Sequence, residues 1–360
     1  MSAQKLNLLL GRIDTTLFFL LNSSPMYSAR FLRLLFLAAV LAVPVFAAKD
    51  KPVIGLSLDT LKEERWQRDR DLFVAEAEKL GAKVVVQAAN SDDTRQNRDI
   101  ESLISRGVDV LLVVPHNGAA LSRAMKSAQE AGIPVIAYDR LILNSDLALY
   151  LTFDNVKVGE LQATWVLDRW PADKPLRLVR IYGAPTDHNA KLFKQGQDNI
   201  LAPLIKSGRV TVVAEDWALD WRPENAKKIM NAALTKFGPA FDAVVVSNDG
   251  TAGGAIQALI EEGLAGKILV TGQDADLAAC QRIMRGTQSM TVFKPVAKLA
   301  VRAARTAVAV ARGEKVAGTT TLPNGFKDVP CLYEEIVSVD QSNMMATVVA
   351  AGFHPADKLK

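Results

Sequence analysis

The sequence predicts an α/β protein made of two doubly wound lobes, each with a parallel sheet. From Pro52 onward, short apolar runs rich in β-branched residues alternate with longer stretches of helical period. The runs Val110–Val114 and Ala243–Ser247 lack polar alternation, which is typical of parallel strands covered by helices on both faces. About ten such runs are too many for one sheet of ordinary size. Because the pattern weakens after Asn155 and restarts at Leu176, we expect two lobes.

The predicted strands and helices follow one another along the chain, as repeated strand–helix units with right-handed crossovers do. The strands are expected at Val53–Asp59, Ala82–Asn90, Val108–Pro115, Pro134–Asp139, Leu149–Phe153, Leu176–Tyr182, Val210–Glu215, Phe241–Ser247 and Ile268–Gly272. The helices are expected at Glu63–Leu80, Asn117–Ala131, Ala190–Ser207, Pro223–Phe237 and Ala252–Gly263. Two later segments, Gln288–Pro295 and Thr319–Val329, break the alternation and are expected to carry the chain between the lobes.

The first residues are predicted to be an export signal. The positively charged stretch Met26–Arg33 precedes an apolar run from Leu34 to Ala48, and Val45–Ala47 has the small residues that a signal peptidase reads. This run is too short for a membrane span, which needs about 20 apolar residues. We expect residues 1–47 to be an N-terminal extension and signal peptide, with Met26 as the true start and the mature protein outside the cytoplasm.

Composition and cysteine spacing exclude several classes of function. The net charge is only +4, and basic residues usually stand beside acidic ones, as in Arg68–Arg70, so no nucleic-acid partner is expected. The two cysteines, Cys280 and Cys331, lie far apart and form no CxxC pair, so no zinc or redox motif is predicted. A disulfide between them and two buried free thiols both remain open at this point.

Catalysis and cofactors find little support in the sequence. The three histidines, His116, His188 and His354, are scattered, and no GxSxG or HExxH motif occurs. The stretch Gly250–Gly254 has neither the GxGxxG nor the P-loop pattern, so we expect helix packing there and no cofactor. A glycosidase stays open as an alternative, because such enzymes need only two carboxylates at a defined separation.

Polar and aromatic residues follow the predicted strands, where open α/β sheets bind their ligands. They are Asp59, Arg65, Trp66, Asp139, Arg140, Asp154, Asn155, Asp187, Asn189, Asp216, Trp217, Trp221, Asn248, Asp249, Gln273 and Asp274. Carboxylates, amides and guanidinium groups suit the hydroxyls of a neutral sugar, and Trp66 and Trp221 are suited to cover its ring. The alternatives are helix capping by Asp59, Asn155 or Asp249, a local Asp139–Arg140 ion pair, and core packing of Trp66.

Several longer motifs are more specific than this pattern. They are Glu64–Arg70 (ERWQRDR), Ala137–Arg140 (AYDR), Phe153–Asn155 (FDN), Asn189–Phe193 (NAKLF), Ser247–Asp249 (SND), Thr251–Leu259 (TAGGAIQAL), Gly272–Asp276 (GQDAD) and Phe293–Pro295 (FKP). On these motifs the chain resembles the D-xylose-binding periplasmic proteins from about Val53 to His354. It departs from their pattern at Phe293, at His188 and in having the two cysteines.

The resemblance implies a type I periplasmic-binding fold with a three-segment hinge. It implies an N-terminal lobe of residues 51–157 plus 293–324 and a C-terminal lobe of residues 158–292 plus 325–360. It implies sugar contacts at Arg65, Trp66, Asp139, Arg140, Asn189, Trp221, Asn248, Asp274 and Lys294. Lys294 rests on the resemblance alone, because it lies on a presumed hinge segment.

The resemblance further implies a monomeric periplasmic receptor, without a cofactor or a metal, that passes D-xylose to the permease of an ABC importer. A chemoreceptor is a second possible partner. The alternatives are a receptor for another pentose or hexose and the glycosidase. A sugar-responsive transcription regulator would need a DNA-binding domain ahead of Val53, where the sequence has the predicted signal instead.

Overall fold

The computed structural model describes residues 50–360, which contain two separate parallel sheets with helices on both faces. The strands in chain order are β1 Val53–Leu58, β2 Lys83–Ala88, β3 Val110–Val113, β4 Val135–Tyr138, β5 Leu149–Phe153, β6 Leu176–Tyr182, β7 Val210–Trp217, β8 Ala243–Val246, β9 Leu269–Val270, β10 Thr291–Phe293, β11 Thr320–Pro323, β12 Asp328–Glu334 and β13 Val337–Val339. Each strand predicted from the sequence is found, with small differences at the ends. The predicted export signal lies outside the described residues.

The helices alternate with these strands along the chain. They are α1 Glu64–Lys79, α2 Asp93–Ser105, α3 Ser122–Glu130, α4 Asn155–Arg169, α5 His188–Lys206, α6 Pro223–Phe237, α7 Asp249–Glu261, α8 Leu277–Met284 and α9 Val296–Ala311. A short 3-10 turn, Leu219–Trp221, lies between β7 and α6, and two short helical segments, Met345–Val349 and Ala356–Leu359, lie near the C-terminus. Among residues 50–360, no helix is long and apolar enough to cross a membrane.

The first sheet has seven strands in the order β11-β12-β5-β4-β3-β1-β2, and all its pairings are parallel except that of β11 with β12. The second sheet has four parallel strands in the order β7-β6-β8-β9. A small antiparallel pair, β10 with β13, adjoins it through a bridge between Gln273 and Val292. The predicted α/β fold class is therefore confirmed.

Each sheet is buried on both faces, as the purely apolar strands predict. In β3, Val110 and Leu112 pack into a core with helices α1 and α9, while Leu111 and Val113 pack on the opposite face with α2 and α3. In the second sheet, Val245 packs towards α4 and α5, and the neighbouring strand residues pack towards α6 and α7. We therefore propose that each sheet and its helices form one lobe.

The chain crosses between the two sheets three times. The first crossing follows Phe153 and the second lies between Phe293 and Val296, close to the boundaries expected from the sequence. The third crossing differs from its predicted position. The predicted boundary puts residues 325–334 in the C-terminal lobe, but β12 pairs in parallel with β5 of the first sheet, so the crossing follows Glu334. The segment Thr319–Val329, expected to carry the chain across, instead forms a hairpin on the first sheet.

The two cysteines are free thiols, which settles the question that spacing left open. Cys331 lies in β12, in the core beneath the first sheet, whereas Cys280 lies in α8 in a core near the C-terminus. Burial raises the pKa of the Cys331 thiol to about 12 and that of Cys280 still further. Both thiols are therefore protonated and behave as small apolar side chains.

Helices α4 and α5 pack backbone to backbone, and this contact depends on two glycines. A Cβ atom at Gly159 would lie 2.0 Å from the carbonyl oxygen of Phe193. A Cβ atom at Gly196 would lie 1.9 Å from the carbonyl oxygen of Val156. Because α5 also carries Asn189 towards the site described below, the distance between these helices sets the position of that side chain.

We predict that Gly159→Ala destabilises the protein, because the new methyl group must push the two helices apart. Overpacking of this kind costs about 1–3 kcal/mol of unfolding free energy. The matched control is Gly250→Ala, where the nearest atom to the new Cβ lies at an ordinary 3.7 Å. Urea unfolding of both variants measures the difference. Equal midpoints for Gly159→Ala and the wild type would contradict the close helix contact.

Candidate ligand-binding site

One cavity between the two sheets collects all nine side chains that the sequence predicts to bind a ligand. The cavity encloses about 430 Å³ including its open part. Five further residues line it: Glu63, Asp187, Phe193, Gln273 and Asp276. The first sheet and α1 supply one wall, and the second sheet with α5 and the 3-10 turn supplies the other.

Arg65 is the central positive charge of this cavity. Its guanidinium group donates a hydrogen bond to Asp139, and it lies 3.4 Å from Oδ1 of Asp274. Lys294 Nζ lies 2.9 Å from the same oxygen of Asp274. Burial alone would raise the pKa of Asp139, but the positive charges of Arg65 and Lys294 outweigh it and hold that pKa below its ordinary value. Asp139 therefore stays ionised and accepts hydrogen bonds.

Arg140 forms a second buried ion network beside the first. Its Nη1 donates to Asp59 at 2.7 Å, and its Nε lies 2.9 Å from Oδ2 of Asp187. The same oxygen of Asp187 accepts a hydrogen bond from Nε1 of Trp221 at 3.2 Å. Asp59 follows β1, whereas Asp187 precedes α5, so Arg140 links the two proposed lobes. Asp139 and Arg140 thus pair with other residues and not with each other.

The two asparagines hold their side chains by hydrogen bonds to their surroundings. Asn189 donates through Nδ2 to the carbonyl oxygen of Asp139 at 2.9 Å, which again joins the two lobes. Asn248 caps α7, because its Oδ1 accepts from the main-chain nitrogen of Thr251 at 3.0 Å. The capping expected as an alternative for Asp249 is therefore done by Asn248, whose amide also lines the cavity.

Two tryptophans face the cavity from opposite lobes. Trp66 lies on α1 and is 4% exposed, and Trp221 lies in the 3-10 turn and is 7% exposed. Trp221 packs so closely over Gly183 that a Cβ atom there would lie 1.9 Å from the indole ring. Gly183 follows β6, so its lack of a side chain makes room for Trp221 at the strand end. Both indole rings line the cavity and offer it apolar surface.

The five lining residues that were not predicted as ligand contacts have different signals in the sequence. Asp187 and Gln273 stand at strand ends, and Phe193 and Asp276 lie within the NAKLF and GQDAD motifs. Glu63 precedes α1 and has no motif of its own. His188, which departs from the family pattern, lies outside this cavity in a neighbouring surface cleft with Lys191, where burial lowers its pKa.

The comparisons with known proteins agree with this geometry. A family described as "Periplasmic binding protein domain" matches residues 54–315. The chain is 49% identical to the D-xylose-binding periplasmic proteins of Haemophilus influenzae and of Escherichia coli, over 91% of this chain and 98% of each relative. A solved ABC transporter solute-binding protein from Clostridium phytofermentans with bound β-D-glucose is 32% identical, with a TM-score of 0.79 over 86% of this chain and 100% of that one.

Asp69 supports the cavity from one helical turn behind Arg65. Its Oδ2 lies 3.6 Å from Nε of Arg65, and the hydroxyl of Tyr138 donates a hydrogen bond to its other oxygen. Burial raises the pKa of Asp69 from 3.8 to about 6, although the charge of Arg65 acts in the opposite direction. A carboxyl group whose pKa is raised by folding stabilises the protein at low pH, and this contribution is lost as the pH rises through about 6.

We therefore predict that Asp69→Asn gains stability relative to the wild type as the pH rises from 4 to 7.5. The change removes an ionisation that opposes folding. The free energy of unfolding of the variant, relative to that of the wild type, is expected to rise by about 2–4 kcal/mol over this pH range. Urea unfolding at several pH values measures it, and the exposed Asp71→Asn on the same helix is the control. A stability difference that does not change with pH would contradict the buried ionisation.

Proposed function

The chain belongs to the periplasmic binding protein family, and we propose that it is a receptor that binds D-xylose and delivers it to an ABC importer. As a member of this family it is a sugar-binding protein rather than an enzyme. The single observation that carries the proposal is the convergence of buried polar groups and two tryptophans, from both lobes, on one small cavity.

The chemistry of the cavity suits a neutral polyol. Each sugar hydroxyl donates one hydrogen bond and accepts others, so it pairs with a carboxylate such as Asp139 and with a cation such as Arg65 or Lys294. Hydrogen bonds to charged partners are about twice as strong as neutral ones. The apolar face of the ring packs against Trp66 and Trp221. A charged ligand would compete with the ion pairs that these buried groups already make with one another.

Binding is proposed to close the two lobes around the sugar. The two walls of the cavity belong to different lobes, so a ligand gains all its contacts only when the lobes meet. Such a ligand shifts the population towards the closed form by its difference in affinity for the two forms. The three crossings of the chain at Phe153, at Lys294 and after Glu334 are the expected hinge. Lys294 lies in the second crossing and lines the cavity, so it is proposed to link the hinge to the ligand.

D-xylose is the proposed ligand because the two relatives named above are D-xylose-binding proteins. A hexose is the second candidate, because the similar solved protein from Clostridium phytofermentans holds β-D-glucose. A thermal-shift panel of xylose, ribose, arabinose and glucose separates the two. The largest rise in melting temperature is expected with xylose, whereas a larger rise with glucose would favour the hexose receptor.

The same family membership supports our proposals on location and partners. We propose that the protein works in the periplasm after cleavage of its signal peptide, as a monomer that docks on the permease of an importer. Interaction with a chemoreceptor is a further proposed role. N-terminal sequencing of the exported protein tests the first point, because a retained Leu34–Ala48 run would contradict cleavage.

We predict that Asp274→Ala and Arg140→Ala each weaken D-xylose binding at least tenfold. Loss of one buried charged hydrogen-bond partner costs about 1.5–3 kcal/mol, which corresponds to roughly ten- to hundredfold in affinity. Titration calorimetry measures the affinity, and circular dichroism checks that each variant is folded. The matched control is Asp216→Ala, since Asp216 also lies at the end of a strand of the second sheet but is exposed. Unchanged affinity in both site variants would remove the proposed site.

A further inference from the structure

His116 stands at a contact between the two proposed lobes that lies beside the ligand cavity. It follows β3 of the first lobe, and its Nδ1 lies 2.8 Å from Oδ1 of Asp93 at the start of α2. Its Nε2 lies 3.7 Å from Oδ1 of Asp220, which belongs to the 3-10 turn of the second lobe. The imidazole is 12% exposed, so two carboxylates, one from each lobe, flank a mostly buried ring.

Asp220 is part of the turn that holds Trp221 in place. Asp220 and Trp221 both have positive φ angles, 53° and 55°, which non-glycine residues rarely adopt. Such a conformation persists only where the surroundings hold it. On one side the indole of Trp221 is held by Gly183 and Asp187. On the other side, the contact of Asp220 with His116 ties the same turn to the opposite lobe.

The protonation state of His116 decides whether this contact is attractive. A neutral ring that donates its Nδ1 proton to Asp93 presents a lone pair at Nε2 to the carboxylate of Asp220. A protonated ring donates on both sides. Nε2 makes no hydrogen bond within residues 50–360, and the 3.7 Å separation from Asp220 is the distance of an ion pair. The protonated form therefore gains a second carboxylate partner only when the lobes meet.

We propose that His116 and Asp220 form an interlobe latch that positions Trp221 and makes sugar binding tighter when His116 is protonated. This rests on the proposed function, because the latch stabilises the same closed form that the sugar selects. Since the closed form favours both the proton and the sugar, each increases the affinity for the other.

The other charged groups around the ring do not reverse this direction. On the α2 side, Asn117 contacts Asp93, and Gln96 accepts a hydrogen bond from the main chain of His116. On the other side, Arg222 lies 3.6 Å from the far oxygen of Asp220 and reduces its charge only in part. Behind the strand end, Arg140 is neutralised by its own partners, Asp59 and Asp187.

Other groups in the cavity also titrate and set a background pH dependence. Burial raises the pKa of Glu63, of Asp187 and of Asp276, each of which lines the cavity. Their contribution is common to the wild type and to every variant with an altered latch. The latch is therefore measured as the difference in pH dependence between proteins and not as the pH dependence of the wild type alone.

The test is calorimetric or fluorescence titration of D-xylose at pH 5.5 and pH 8 with the wild type, His116→Gln, Asp220→Asn and the double variant. Asparagine is chosen at position 220 because it tolerates a positive φ and keeps the turn. At pH 5.5 each single variant is expected to bind about two- to fivefold more weakly than the wild type, as partly exposed ion pairs do. The double variant is expected to lose no more than either single one.

At pH 8 the variants are expected to bind D-xylose with the same affinity as the wild type. A variant that fails to fold would bind weakly at both pH values. His188→Gln, a histidine of the neighbouring cleft, is the control and is expected to keep the full pH dependence. Identical pH dependence in the wild type and His116→Gln, or additive losses in the double variant, would overturn the latch alone. Absence of saturable sugar binding by the wild type at either pH would overturn the proposed function and the latch with it.

Discussion

Buried charge of both signs is the constraint on which this cavity depends. Arg65, Arg140 and Lys294 are each less than 9% exposed, and so are the five carboxylates that surround them. These carboxylates are Asp59, Asp69, Asp139, Asp187 and Asp274. Removing such groups from water costs several kcal/mol each unless partners replace the lost hydration. The fold provides these partners from elements far apart in sequence, so the site exists only when both sheets are in place.

This constraint also supports the proposal that charged groups bind a neutral sugar. Arg65 and Arg140 each have a partner on their own lobe, Asp139 and Asp59, and one on the other, Asp274 and Asp187. In the proposed site, a sugar hydroxyl would bring no net charge into the cavity, so the ion pairs would be kept while it donates and accepts hydrogen bonds. Asp69, behind Arg65, restrains the guanidinium group without contributing to the cavity itself. The shape of the cavity is set by Trp66 and Trp221, and Gly183 leaves room for Trp221.

Much of the fold could be predicted from the sequence because its signals are local. The apolar runs of β3 and β8 have no polar alternation, and both are buried on two faces. The predicted position of the third crossing was wrong, because the pairing of β12 with β5 is a long-range contact that no local pattern shows. Pro323 and Pro330 in the β11–β12 hairpin also disguise these strands, since proline is unusual within a sheet.

The candidate site was predictable to the extent that parallel sheets gather their strand ends at one edge. Asp139, Asn248 and Asp274 follow from that rule, and the structure places them around one cavity. Lys294 required the family resemblance, because a lysine on a crossing segment has no local signal. Glu63 was missed because it, too, has no local signal. The separation of Cys280 from Cys331 could not be predicted, because it depends on which core each helix or strand enters.

The most direct measurement is a crystal structure of the protein grown with D-xylose. The ring is expected between Trp66 and Trp221, with hydroxyls bonded to Arg65 and Asp139 on one side and to Asn248 and Asp274 on the other. A sugar that contacts residues of only one sheet, or that binds outside this cavity, would contradict the claim that both halves of the chain build the site.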